Sequence, residues 1–221
     1  MIDALPKIGT RERGQLADAT LLSGFFVSGV SALVYQVCWQ RSLYGVIGVD
    51  MDSITIVVSA FMLGIGLGGL LGGWLSDRHP SQRLMIFAAS ELAIAMYGAA
   101  TTMLLPWMGN AMAGAAWASA EARALMCFAF LVVPTTLMGM TLPVLTMAFN
   151  EARTNIGVSV GTLYFVNTMG AALGAISVPT VLLRQFTLSQ SILVAVAANV
   201  VVATSAVLAA TLLSHAREAR V

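Results

Sequence analysis

Residues 64–83, GIGLGGLLGGWLSDRHPSQR, decide the fold because they carry two incompatible readings. Gly64, Gly66 and Gly69 spell G-x-G-x-x-G, and Glu91 follows at about the 20-residue spacing of a dinucleotide loop and its ribose-binding acid. Such a loop needs a preceding strand and a turn. Here SITIVVSAFML (53–63) runs into the glycines with neither a turn signal nor a charge. On a helix, by contrast, Ala60, Gly64, Gly68 and Gly72 recur every four residues and form a flat stripe, with Gly69 and Gly73 beside it. Stripes of small residues let helix backbones approach closely where lipid supplies no hydrophobic drive for association. The stretch reads as a membrane helix and its exit, not as a phosphate cradle.

Composition supports this. The chain is 58% hydrophobic and 10% charged, against about 45–50% and 25% in soluble domains, and its mean hydropathy is +0.87. Uncharged runs alternate with short charged clusters, as crossing about 30 Å of hydrocarbon requires. Six spans are expected, over 20–40, 53–75, 84–105, 124–148, 156–183 and 188–213, between an N-terminal tail (1–19) and a C-terminal tail (214–221). The segment 106–120, PWMGNAMAGAAWASA, reads as an interfacial loop or surface helix. Residues 1–19 lack a separate apolar region with a cleavage site, so they read as a retained tail.

With the N-terminus inside, Lys7, Arg11, Arg13, Arg78, Arg83, Arg153, Arg217 and Arg220 face the cytoplasm, and Arg41, Arg123 and Arg184 lie outside. Positive residues favour the cytoplasmic side, so both termini are expected there. A net charge of +1 gives nucleic acid no basic face. Cys38 and Cys127 sit in apolar runs and read as small buried hydrophobes; His79 and His215 stand apart, so no metal and no cofactor is expected.

Small-residue stripes recur at Gly24, Ser28 and Ala32 in the first span, and at Gly157, Gly161, Gly170 and Gly174 in the fifth. The second and fifth spans are equivalent if the chain is two inverted three-helix units, a habit of transporters. Gly73, Asp77, Arg78 and Arg83 resemble the turn motif between helices 2 and 3 of major facilitator transporters, with Pro80 in place of its second glycine. An ordinary charged cytoplasmic turn is the competing reading.

Polar groups inside spans cost energy and mark function. Glu91 is the acid well inside a span, and serves either as a cation or proton site or as a structural carboxyl. Gln36 and Gln40 lie one turn apart beside Tyr35 and Trp39, whose rings either attract a cation or form an interfacial belt. Asn167 and Thr168 interrupt the fifth span and suit hydrogen bonds between helices as well as a site. Glu91, Gln36, Gln40 and Asn167 together make the candidate polar path. Pro134 and Pro143 should shape the fourth span.

Five segments in order, FFVSGVSALVYQVCWQR, AFMLGIGLGGLLGGWLSDR, SELAIAMYG, VPTTLMGMTLPVL and GTLYFVNTMGAALGAISVPTVLL, resemble the membrane domain of bacterial fused major-facilitator-like/spermidine synthase proteins. The resemblance covers about residues 20–210. It implies a bacterial inner-membrane bundle like one half of a major facilitator, followed in that family by a soluble aminopropyltransferase domain. This sequence stops at Val221 without the residues of that domain, so the expectation is a non-enzymatic membrane protein. Its function is expected to be transport of a small, possibly cationic metabolite. The alternatives are an accessory subunit of a larger membrane complex and an anchor for a separate aminopropyltransferase. The glycine stripes of the second and fifth spans are expected to pack on a partner, a second copy or another membrane protein.

Overall fold

A computed structural model describes residues 10–48, 51–113, 119–151 and 155–218. It is all-helical: α1 (Thr10–Ile47), α2 (Met51–Arg78), α3 (Arg83–Ala113), α4 (Ala120–Asn150), α5 (Ile156–Ser177) and α6 (Leu188–Glu218). Among the described residues, six helices are long and apolar enough to cross a membrane. Only helices or closed barrels satisfy every backbone group in hydrocarbon, so this is the architecture such a composition allows.

Local chemistry places the ends. Gly48, with φ 97°, ends α1 in the left-handed region, its N–H bonded to Tyr44 O at 3.0 Å. Ser119 and Asn155 cap α4 and α5, accepting from the N–H groups of Ala122 and Val158. At the start of α6, Thr187 N–H donates to Gln190 Oε1 (2.9 Å) and Gln190 N–H donates to Thr187 Oγ1 (3.2 Å), a reciprocal capping pair. Pro179 cannot extend an α-helix normally, and α5 continues through a π-helical turn, Val178–Leu182, into a last α turn, Leu183–Gln185.

Three boundaries differ from the sequence reading. Helix α1 begins at Thr10, inside the expected tail, and α6 runs on to Glu218; the hydrocarbon limits the apolar run, whereas backbone bonding continues into the polar boundary. Residues 1–9 and 219–221, and Trp117 and Arg153, lie outside the described residues. Helix α3 does not stop at Pro106 but continues to Ala113, because Leu105 and Met108 both pack into the core and hold the chain helical across the proline. In α4, Pro134 leaves the Phe130 carbonyl without its helical donor, and the Tyr97 hydroxyl of α3 donates to that carbonyl at 2.6 Å. Thr135 and Thr136 return their hydroxyls to the carbonyls of Leu131 and Val132, both at 2.7 Å.

The glycine stripes organise the packing, and they are used inside the chain. Gly64, Gly68 and Gly72 of α2 lie against α4, where an added Cβ would strike Thr135, the Thr136 carbonyl and Met140 respectively. Gly170 and Gly174 of α5 lie against the Phe26 and Val30 carbonyls of α1 in the same way. The receiving helices also contribute a glycine each: Gly139 of α4 over the Ile65 carbonyl, and Gly29 of α1 over the Asn167 carbonyl. The two crossings therefore correspond residue for residue, with Gly68, Gly72 and Gly139 matching Gly170, Gly174 and Gly29. The wider contacts follow the same exchange: α1 packs on α5 and α6, α4 packs on α2 and α3, and α3 meets α6. Gly64, Gly68, Gly72, Gly170 and Gly174 thus meet helices of this same chain. The outward glycines of α2 are Gly66, Gly69 and Gly73, which have nothing within 4 Å.

Gly68→Leu or Gly170→Leu should lower the apparent melting temperature sharply in detergent, since overpacking a close-fitting contact costs about 1–3 kcal/mol. Gly69→Leu, on the open side, should leave it unchanged. Tyr97→Phe should cost about 1 kcal/mol in an unfolding titration, by orphaning the Phe130 carbonyl.

Candidate functional site

Glu91 is fully buried, two turns into α3. Small neighbours on its helix, Ala88 and Ala95, leave room for α1 and α6 to reach it. Ser28 Oγ of α1 donates to Glu91 Oε1 at 2.6 Å, and Asn199 Nδ2 of α6 donates to Oε2 at 2.6 Å. Each carboxylate oxygen thus has one short donor, and three helices meet at one side chain. Both donors are neutral, so they hold the carboxyl in place without bringing it a cationic partner. The Oδ1 atom of Asn199 is buried and has no hydrogen-bond donor.

Ser28 and Asn199 also form part of the wall of a cavity of about 340 Å³. All six helices contribute to it, with Gln36 from α1, Ile65 from α2, Ile94 from α3, Thr141 from α4 and Asn167 from α5. The sequence candidates divide accordingly. Gln36 and Asn167 come together on the cavity wall, and Glu91 lies behind Ser28 and Asn199. Gln40 is not among the wall residues: its Nε2 donates to the Tyr44 hydroxyl one turn on. The polar path is therefore shorter than four residues in a row and turns inward to a carboxylate.

Tyr35 and Trp39 are neither an interfacial belt nor an open cation box. Both are fully buried, stacked on one another with centroids 4.9 Å apart, and Tyr97 and Phe130 pack edge-on against the indole. The indole N–H of Trp39 donates to Thr101 Oγ1 at 3.0 Å, tying α1 to α3. Cys38 and Cys127 are free and buried. Among the described residues, no three His, Cys, Asp or Glu side chains cluster as a metal site would need.

The turn motif separates into distinct jobs. Gly73 faces outward, Asp77 is exposed at the end of α2, and the Arg78 guanidinium lies 5.6 Å from the centre of the Trp74 ring. Arg83 is the structural member. Its Nε donates to Ser76 O (3.1 Å), and its Nη1 reaches Met147 O (3.4 Å) and Glu151 Oε1 (3.2 Å). One guanidinium thereby gathers the ends of α2 and α4 around the start of α3.

Ser28 and Asn199 are the site residues that single-residue reading missed. Ser28 reads as one member of a small-residue stripe.

No family model matches the chain, and no solved structure matches it. The chain is similar to the polyamine aminopropyltransferase 2 of Streptomyces coelicolor, 28% identical over 168 residues, which is 74% of this chain and 29% of that protein. The chain thus spans less than a third of that relative's length. This likeness points toward a spermidine synthase-related family, the direction in which the five ordered segments also point.

Proposed function

We propose that this chain is a membrane module that takes a small cationic metabolite into its central cavity and passes it across the bilayer. Glu91 is the charge-compensating and coupling group, and Gln36 and Asn167 line the approach. The observation that carries the reading is the cavity itself: all six helices converge on a space whose polar wall leads to a buried carboxylate. A buried acid at membrane depth is expensive, and its usual return is a transported or exchanged charge. In this reading the module binds and carries, and does no covalent chemistry.

The residue-for-residue match of the two glycine crossings supports an arrangement of two inverted units, α1–α2–α3 and α4–α5–α6, with the site between them, like one half of a major facilitator. The Arg83 tether then steadies a cytoplasmic turn, and both termini lie in the cytoplasm of a bacterial inner membrane. A partner, a second copy or another membrane protein, would use outward surface such as the open glycines Gly66, Gly69 and Gly73.

A second reading is favoured by the likeness to a polyamine aminopropyltransferase: a membrane module that works beside such an enzyme and holds amines near it. Co-purification of a soluble aminopropyltransferase after gentle solubilisation supports that version.

In proteoliposomes containing this chain, uptake of radiolabelled small amines should exceed that of empty vesicles, and Glu91→Gln should reduce it at least tenfold while leaving the gel-filtration profile intact. Unchanged uptake in folded Glu91→Gln would sink the reading. Asp77→Cys, in a chain carrying Cys38→Ala and Cys127→Ala, should react only with reagent supplied from the cytoplasmic side; labelling from outside reverses the topology.

A further inference from the structure

The cavity has a specific imbalance. On its wall Asn199 Oδ1 has no donor, and directly behind Ser28 and Asn199 the Glu91 carboxylate has one neutral donor on each oxygen. Asn199 is 2% exposed, so no bulk solvent relieves it. Its Nδ2 is committed to Glu91, which fixes the amide with its oxygen left over. A buried acceptor without a donor is uncommon in a native structure, and beside a carboxylate with no cationic partner it describes a missing group that both donates and is positive.

The rest of the wall describes what that group is attached to. Leu33, Ile65, Ile94, Met138 and Leu142 make most of it apolar. A volume of about 340 Å³ is many times that of one water, about 30 Å³ in the liquid, and far exceeds a bare ion. One carboxylate balances one charge. A second ammonium carried into the same apolar space would be buried with no counter-charge on the wall, at heavy desolvation cost.

We infer that the cavity binds a ligand with a single primary ammonium on a short apolar chain, the ammonium donating to Asn199 Oδ1 and pairing with Glu91, and the chain lying against Ile65, Ile94 and Leu142. This rests on the cation-handling reading above and narrows it from cations in general to singly charged alkylammonium groups.

The test is calorimetric titration of the 221-residue chain in phosphatidylcholine nanodiscs with n-butylammonium, 1,4-diaminobutane, n-butanol and sodium as separate probes. Saturable binding of n-butylammonium is expected, with 1,4-diaminobutane at least tenfold weaker and n-butanol and sodium inert. Because this ranking is read on the unaltered protein, it does not depend on any variant folding. Asn199→Leu and Glu91→Gln should each weaken n-butylammonium at least tenfold; binding that survives both, in folded protein, overturns the assigned seat. Diamine binding as tight as monoamine binding, lost in Glu91→Gln, overturns the single-charge inference and leaves cation handling standing. Binding of sodium alone, or of n-butanol as well as the amine, also overturns it. If no amine binds at all, this inference and the broader reading fall together.

Discussion

Helices in hydrocarbon gain nothing by hiding leucine from lipid, because lipid is as apolar as leucine. What holds such a bundle together is close contact between backbones, and here that contact is made at seven glycines in two crossings. Each crossing sets α-carbons of one helix against carbonyl oxygens of another, at distances no side chain would allow. Everything else hangs on these two crossings. They fix α2 on α4 and α5 on α1, so the remaining pair, α3 and α6, is held between them. The cavity wall includes Ile65, Gly139 and Asn167 of the two crossings, and Glu91 and Asn199 meet where α3 and α6 come together.

The site follows from the same constraint. A carboxylate at membrane depth is tolerable only with donors supplied by protein, and water cannot be relied on to supply them. Ser28 meets that need because its helix already lies close to α3; a longer side chain at 28 would displace it. Asn199 meets it from the opposite side. The bond from Asn199 to Glu91 thus joins α6 to α3. The polar contact lies at the centre of the bundle, and the glycine contacts flank it.

The membrane class, the number of helices and the roles of the glycines as packing residues were legible from composition and four-residue spacing alone. What the glycines pack against was not. The receiving surface is made of backbone carbonyls at Phe26, Val30, Thr136 and Met140, whose side chains carry no sign of that role. A stripe without a visible counterpart therefore looked like a surface for a second protein. Pro106 misled for a related reason: its effect on the backbone is local, whereas Leu105 and Met108, which keep α3 helical past it, act through tertiary contact. Glu91 was legible because a lone acid in an apolar run is costly wherever it points. Gln40 was not separable from Gln36, since a difference of one helical turn decides whether an amide meets a cavity or a neighbouring tyrosine.

Helix α1 carries both the aromatic cluster and a donor to the polar site. Tyr35 stacks on Trp39, and Trp39 is held by Thr101 and by the edges of Tyr97 and Phe130. At the other end, the Arg83 tether, 13% exposed at its side chain, binds the helix ends through carbonyls and Glu151. Between these two fixed ends, the interior offers neutral donors to a carboxylate and no basic side chain among the cavity's described wall residues. An internal arginine or lysine would neutralise Glu91 permanently and turn the carboxylate into a strut. Seryl and amide donors hold it in place without supplying a counter-charge.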